Sequence, residues 1–379
     1  MHIGFLTPEF PHPELSRSGG IGTSILNLAK GLVTLGHTVS VVVYGQAKDG
    51  EFMQDGIQIH TIKNVRIKGF SRYFTQRKIQ KKINFLVRNH ALDLIEAPDW
   101  TGITSNIKPD CPVIVKLNGS DTYFCHLDKR PVKPINRKRE KKALQNADYL
   151  VSVSAYTAEV TKALFDLNTE IRVIPNSIDI ANFEPSETIP VHGKVLYFGT
   201  LIRKKGLLEL PLIFNELIRL YPEATLELVG KDSSDVLTGN QSTWDLMKPL
   251  FSNEALARVT YSGALKYSQM RQKIDEAEVC VFPTFAEALP VSWIEAMAME
   301  KAIVASNIGW ATEVLENQLQ GYLVHPESHL EFAQCIHNLL KDRELRLNVG
   351  KNARHRVLNE FASDVVARKN EAFYRSVIS

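Results

Sequence analysis

The stretch VCVFPTFAEALPVSWIEAMAMEKAIVAS, Val279 to Ser306, decides the fold. Val279–Phe282 is a short apolar run, half of it β-branched, that stops at Pro283. Trp293, Ile294, Ala296, Met297, Ala298 and Met299 then form a block with helical character, and Ala302–Ala305 is a second strand run. Strand, helix and strand in that order make a βαβ unit, whose two strands are parallel.

The same alternation extends outward along the chain. In the second half the further strand candidates are Lys194–Phe198, Thr225–Val229, Val259–Ser262 and Tyr322–Val324. In the first half they are His2–Thr7, Thr38–Tyr44, Ile57–Ile62, Leu92–Ala97, Val113–Leu117, Tyr149–Val153 and Ile171–Ile174. Helical periods such as Ile25, Leu28, Ala29, Leu32 and Leu35 lie between them. So many strands exceed one comfortable sheet, so the α/β fold class is expected as two doubly wound, Rossmann-like domains facing across a cleft. The polar, proline-bearing stretch Asn182–Gly193 is the expected linker. It divides the chain into residues 1–185 and 186–362, with ligands expected at the carboxyl ends of the strands.

Composition narrows the class. A chain of 379 residues with 44% hydrophobic and 23% charged residues has ample material for a core, which excludes a largely disordered protein. Cys111, Cys125, Cys280 and Cys335 show no CxxC or finger spacing, so neither a disulfide framework nor a cysteine metal site is expected. No basic start with an apolar run marks a secretory signal, and no segment has the length to span a bilayer, so the expected location is cytoplasmic. His325 and His329 flank Pro326, which disfavours a shared helical face, and no metal is expected.

The net charge of +3 conceals an asymmetry. Lys63 to Arg88 holds nine Lys/Arg and no acid, and Lys129 to Lys142 holds eight with one Glu. Those runs carry +16, leaving the rest of the chain at −13. The first interleaves Ile67, Phe70, Tyr73, Phe74 and Phe85 among its cations. Such a stretch fits the inner face of an anionic membrane, a phosphorylated substrate, or a solvated helix face over the core. No nucleic-acid recognition motif accompanies it.

Three strand-to-helix loops carry candidate chemistry. After the first strand come Ser18-Gly19-Gly20-Ile21-Gly22, where paired glycines allow either close backbone approach to a phosphate or a simple turn. The dinucleotide pattern GxGxxG is absent. After KVLYF comes Gly199-Thr200-Leu201-Ile202-Arg203-Lys204-Lys205-Gly206, three cations placed either to neutralise a diphosphate or to face solvent. After Val279–Phe282, Glu287 and Glu295 stand eight apart, with Pro290 expected in the first turn of a helix. Buried carboxylates need partners, which are either the hydroxyls of a polyhydroxylated ligand or structural Lys and Arg. Neither a GxSxG elbow nor a P-loop occurs.

The Gly-Gly loop, Pro175-Asn176-Ser177-Ile178-Asp179, the GTLIRKKG loop and the Glu-x7-Glu segment with its EAMA continuation occur in that order. Together they resemble the family 4 retaining glycosyltransferases of the GT-B fold, across essentially the whole chain. The resemblance implies an N-terminal acceptor domain, a C-terminal nucleotide-sugar domain, and a final helix, residues 363–379, returning to the first. It implies a UDP- or GDP-linked donor, with no catalytic metal or bound cofactor. It assigns Lys205 to the donor diphosphate, Glu287 to hydroxyls of the transferred sugar and Glu295 to the ribose. Gly19 and Gly20 would meet the diphosphate from across the cleft, and the backbone at Leu289, Pro290 and Val291 would help to hold it.

The chain departs from the family pattern at three places. Thr200 replaces a common Arg, which makes Arg203 the substitute charge; Ala288-Leu289-Pro290 replaces Gly-Phe-Gly; and Asn118 stands where a His is usual. Asn118 and Glu287 are thus the candidates at the reacting sugar. The expected function is transfer to a glycan, lipid-linked or other hydroxyl acceptor in cell-surface polysaccharide or glycoconjugate synthesis. A nucleotide-sugar epimerase, a sugar phosphorylase and a non-enzymatic solute-binding protein are the alternatives.

Overall fold

The computed structural model describes residues 1–15 and 18–379, with the backbone alone at 267 and 268. The chain divides into two units: Met1–Ile178 with Phe361–Ser379, and Asp179–Glu360.

In the first unit the strands are β1 (His2–Thr7), β2 (Thr38–Gln46), β3 (Gly50–Gln54), β4 (Ile57–Lys63), β5 (Leu94–Pro98), β6 (Val113–Leu117), β7 (Tyr149–Ser152) and β8 (Ile171–Val173). Among the described residues they form one sheet in the order β3-β4-β2-β1-β5-β6-β7-β8. All neighbours run parallel except β3 and β4, which form an antiparallel hairpin. Sheet order reverses at β1, with β2 on one side and β5 on the other. That makes the carboxyl ends of β1 and β5 the first unit's ligand edge.

Alternation along β1 sends Phe5 and Leu6 to opposite faces. Phe5 joins Leu28, Ala29 and Leu32 of helix α1 (Gly20–Thr34) and Val366 and Tyr374 of the C-terminal helix Ser363–Ile378. Leu6 joins Ile79, Ile83 and Leu86 of helix α2 (Ser71–His90). Each fully buried Leu or Ile side chain contributes about 1.5–3 kcal/mol. The C-terminal helix lies close on α1 at Gly31, where a Cβ would stand 2.9 Å from that of Ala367.

The second unit contains β9 (Lys194–Phe198), β10 (Thr225–Val229), β11 (Val259–Tyr261), β12 (Val279–Phe282), β13 (Ala302–Ser306) and β14 (Tyr322–Val324). They form an all-parallel sheet in the order β11-β10-β9-β12-β13-β14. Its strands are almost continuously buried, as expected for a parallel sheet covered on both faces.

Two expectations are corrected here. The units part at Ile178/Asp179, ahead of the expected linker, and Asn182–Gly193 does not act as a free connector throughout. Asp179 caps a short 3₁₀ turn, Ile180–Phe183, and Phe183 is buried with its carbonyl bonded by Arg354. The second unit ends at Glu360 rather than 362.

Candidate functional site

β9 and β12 are neighbours, and the order of the second sheet reverses between them. Their carboxyl ends therefore form a topological switch point, the usual ligand position in such sheets. The loop after β9 turns through a 3₁₀ segment, Arg203–Lys205, closed by Gly206 at φ +71°. The loop after β12 is bonded to it: the amides of Phe285 and Ala286 both donate to the Lys204 carbonyl, at 2.9 and 3.2 Å. A Cβ on Gly206 would lie 1.7 Å from the Pro283 carbonyl oxygen, so only glycine permits this crossing.

The crossing brings Lys205 Nζ to 2.9 Å from Glu287 Oε1, both side chains being largely buried. Burial disfavours the ammonium, but the neighbouring charges of Glu287, Tyr197 and Glu295 outweigh it and hold Lys205 above the usual lysine range. A Cβ on Gly199 would stand 3.4 Å from Lys205 Nζ and 3.1 Å from the Tyr197 oxygen, so this glycine leaves the ammonium room. Tyr197 donates its hydroxyl to the Thr200 carbonyl, 3.1 Å away.

Arg203 takes a different post. Its Nε and Nη2 donate to the two oxygens of Asp235, each at 2.8 Å. Asp235 is buried, also accepts from the backbone and hydroxyl of Thr238, and is held well below the usual carboxylate range, chiefly by Arg203. The bidentate pair ties the cationic loop to the segment after β10.

Glu295 sits in the helix Val291–Ala298, 8% exposed. Pro290 is the residue just before that helix, at φ −78° and ψ 98°, not within its first turn as expected. The extended ψ explains the shift, because it ends the loop before helical geometry begins. Leu289 and Pro290 are buried and Val291 half-buried.

In the first unit, Asn118 follows β6. Its backbone N–H donates to Asp99 Oδ1 at 3.1 Å, and its side-chain amide makes a 3.4 Å contact to the Lys116 carbonyl. Asp99 follows β5, is 1% exposed, and has its carboxyl pushed up to about 8 by burial. Among the described residues its Oδ2 has no hydrogen-bond partner. Gly19 is the residue before α1 and Gly20 its first, and a Cβ on Gly20 would meet nothing within 4 Å. The Gly22 amide is engaged: it donates to Glu9 Oε1 at 3.0 Å.

Of the residues singled out in the sequence, the structure brings Lys205 and Glu287 together with the Glu295 charge bearing on the same ammonium, and places Asn118, Gly19 and Gly20 in the first unit. Sequence reasoning missed Glu9, Asp99 and Asp235. Glu9 and Asp99 carry a readable signal, being acids within two residues of the end of a buried strand; Asp235 carries none. Among the described residues no group of three or more His, Cys, Asp or Glu side chains is placed to hold a metal ion.

Similarity to known proteins covers almost the whole chain. The family described as Glycosyltransferase Family 4 matches residues 18–182, and that described as Glycosyl transferases group 1 matches residues 182–356. An uncharacterized glycosyltransferase of Methanocaldococcus jannaschii is 23% identical, over 99% of this chain and 98% of its own. Sucrose-phosphate synthase from Thermosynechococcus elongatus superposes with a TM-score of 0.80 at 20% identity, covering 99% of this chain and 98% of that one. Anabaena HepE, solved in complex with UDP-glucose, gives 0.75 at 19% identity, covering 99% and 100%. With two parallel-sheet units of the GT-B fold and both family patterns in succession, the chain belongs to the family 4 type of glycosyltransferases.

Proposed function

We propose that the protein transfers a sugar, with retention of configuration and without a metal, from a UDP- or GDP-sugar to a hydroxyl acceptor. The observation that carries this reading is the Lys205–Glu287 pair at the β9/β12 switch point. Each partner neutralises the other, and a nucleotide sugar offers each a better one: phosphate oxygens for the ammonium, sugar hydroxyls for the carboxylate. Glu295, whose charge bears on the same ammonium, is the ribose acceptor. The backbone N–H groups of Leu289 and Val291, on either side of Pro290, add donors to the diphosphate, and Arg203 fixes the loop through Asp235 while keeping part of its guanidinium for the phosphates.

In the reaction the bond between the anomeric carbon and the phosphate oxygen breaks through an oxocarbenium-like state. Negative charge then grows on the departing diphosphate, where Lys205 stabilises it. The acceptor's hydroxyl oxygen bonds to the anomeric carbon on the face from which the diphosphate departs, and the leaving phosphate takes that hydroxyl's proton, so the proposed step requires no enzyme nucleophile. Glu287 and Asn118 orient sugar hydroxyls. The UDP-glucose bound by Anabaena HepE supports a nucleotide-sugar donor.

The acceptor belongs to the first unit and is a glycan or lipid-linked sugar of cell-surface polysaccharide or glycoconjugate synthesis. Exposed Ile67, Phe70, Tyr73 and Phe74 beside Arg66 and Lys68 support attachment of this unit to anionic membranes. No helix among the described residues is long and apolar enough to cross a membrane. Calorimetry against UDP, GDP and their sugars tests the donor reading, and absence of binding by all of them would overturn it.

A further inference from the structure

The turn after β14 carries the two histidines of His325-Pro326-Glu327-Ser328-His329, a stretch with no part in the proposed transfer. The Ser328 amide closes the turn by donating to the His325 carbonyl at 2.9 Å, and the Glu327 amide donates to His325 Nδ1 at 3.3 Å. The turn is seated against both loops of the β9/β12 switch point. The His325 ring meets that of Phe285, with centroids 6.3 Å apart and planes at 74°. His329 Nε2 lies 2.7 Å from Glu209 Oε2, a residue of the other loop. The two histidines thus serve different loops.

Glu209 lies four residues beyond Lys205 and immediately precedes the helix Leu210–Leu220. Its amide donates to the Gly206 carbonyl at 3.0 Å, which fixes it to the crossing of the two loops. His329 begins the helix His329–Lys341, which packs beside Leu210–Leu220. The Glu209 and His329 side chains are 24% and 28% exposed, so their bond is largely shielded from water. A carboxylate only accepts, so the imidazole is the donor, and the bond is charge-assisted. The Glu209 charge also extends to Arg203, which is held above the usual arginine range first by its bonds to Asp235 and further by Glu209. Among the described residues no hydrogen bond or ion pair joins Arg203 to Glu209. Arg203 therefore stands near two carboxylates, one bonded to it and the other bonded to His329.

We propose that His329 is a positioning residue for the donor: it occupies the Glu209 carboxylate and so leaves the remaining N–H groups of Arg203 to the diphosphate. A guanidinium has five N–H donors, and Asp235 engages it through Nε and Nη2 only. Without His329, Glu209 is an unanswered negative charge beside the loop that receives an anionic group, and it competes with phosphate for the same guanidinium. The start of the helix His329–Lys341, the positive end of its dipole, helps to hold the carboxylate there. This rests on the reading that the second unit binds the nucleotide sugar.

The test is a rescue. Affinity for UDP and GDP is measured by calorimetry, alongside the unfolding midpoint, in wild type, His329→Leu, His329→Gln, Glu209→Gln and the double variant His329→Leu/Glu209→Gln. His329→Leu removes the N–H and leaves Glu209 charged, whereas His329→Gln keeps a donor for it. Glu209→Gln keeps an acceptor for His329 and removes the charge. The expected result is nucleotide affinity lowered about five- to tenfold in His329→Leu and within about twofold of wild type in the other three. Recovery in the double variant separates the proposal from a packing role, because the second substitution restores no contact. A double variant as weak as His329→Leu would overturn the proposal and leave His329 a brace between two helices. Unchanged affinity in His329→Leu, or a fall in Glu209→Gln as large as the one expected there, would also overturn it. A wild type that binds neither nucleotide sinks the donor reading and this proposal with it; a wild type that binds, with equal affinities throughout the series, refutes this proposal alone.

Discussion

Gly206 passes so close beneath Pro283 that a Cβ on it would sit 1.7 Å from the Pro283 carbonyl oxygen. Gly206 closes the loop after β9 and Pro283 opens the loop after β12, so their contact sets how near Lys205 comes to Glu287. Gly206→Ala meets two penalties, the clash and a left-handed backbone at φ +71°. The expected cost is at least about 2 kcal/mol of stability, together with weaker nucleotide binding because the loops separate. Denaturant unfolding and UDP or GDP calorimetry on the same sample check it. A variant as stable as wild type would show that the loops are not locked by this crossing.

Lys205→Ala and Glu287→Gln are expected to divide the donor's two ends. Loss of a charge-assisted bond of about 1.5–3 kcal/mol predicts nucleoside diphosphate affinity lowered roughly 10- to 100-fold in Lys205→Ala. Glu287→Gln is expected to leave that affinity within about threefold while kcat falls, since its proposed partner is the sugar. Glu295→Ala should instead weaken the nucleotide. Calorimetry with the bare nucleotide and steady-state rates with its sugar separate the cases; an equal effect of all three on both readouts would mean the roles are misassigned.

Turnover is expected to survive EDTA, because the proposed charge on the diphosphate is met by Lys205 and backbone donors. Loss of turnover in chelator, restored by added Mg²⁺, would refute the metal-free reading, since a diphosphate can itself recruit Mg²⁺.

How far the sequence could be read depended on how local each signal was. Buried parallel strands such as Lys194–Phe198 and Val279–Phe282 announce themselves as apolar runs. β3 was missed because Gly50–Gln54 is half-exposed and lacks such a run. Its signal lay in the turn: Asp55-Gly56, at φ +50° and +77°, is a two-residue hairpin connection of the Asp-Gly type. The Lys205 and Glu287 loops were legible because each is a single strand-to-helix connection, and their crossing at Gly206 was not, because it joins residues distant in the chain. Charge shows the same limit. Lys63 to Arg88 contains no acid, yet Lys78 meets Asp49, Lys82 meets Glu51 and Arg88 meets Asp110, partners 29, 31 and 22 residues away.

Those pairings sharpen the membrane prediction. With Lys78, Lys82 and Arg88 neutralised, attachment should depend on the exposed end around Arg66, Ile67, Lys68 and Phe70. Each cation near an anionic surface is worth about 1 kcal/mol, and salt weakens it. Co-sedimentation with phosphatidylglycerol vesicles at low ionic strength is expected for the wild type. It should fall in high salt, with neutral vesicles, and in Phe70→Ser. Equal, negligible binding to both vesicle types would leave the stretch a solvated face.

Asp99 gives a pH signature opposite to that of an ordinary salt-bridged carboxylate. Its folded-state pKa is pushed up to about 8 from an ordinary 3.8, first by burial, with the Glu140 charge adding to it and the Asn118 amide opposing it. Between those values the folded protein binds a proton that the unfolded chain releases. Asp99's contribution to stability is therefore complete below about pH 4, declines as pH rises, and is lost above about 8. The slope approaches about 1.4 kcal/mol per pH unit in that window. Asp99→Asn keeps an acceptor for the Asn118 amide and cannot ionise, so its stability relative to wild type should rise from pH 5 to pH 8. Chemical denaturation of both proteins at several pH values measures this difference directly. A constant difference across the range would mean that Asp99 carries the same charge in both states and that its buried oxygen is solvated.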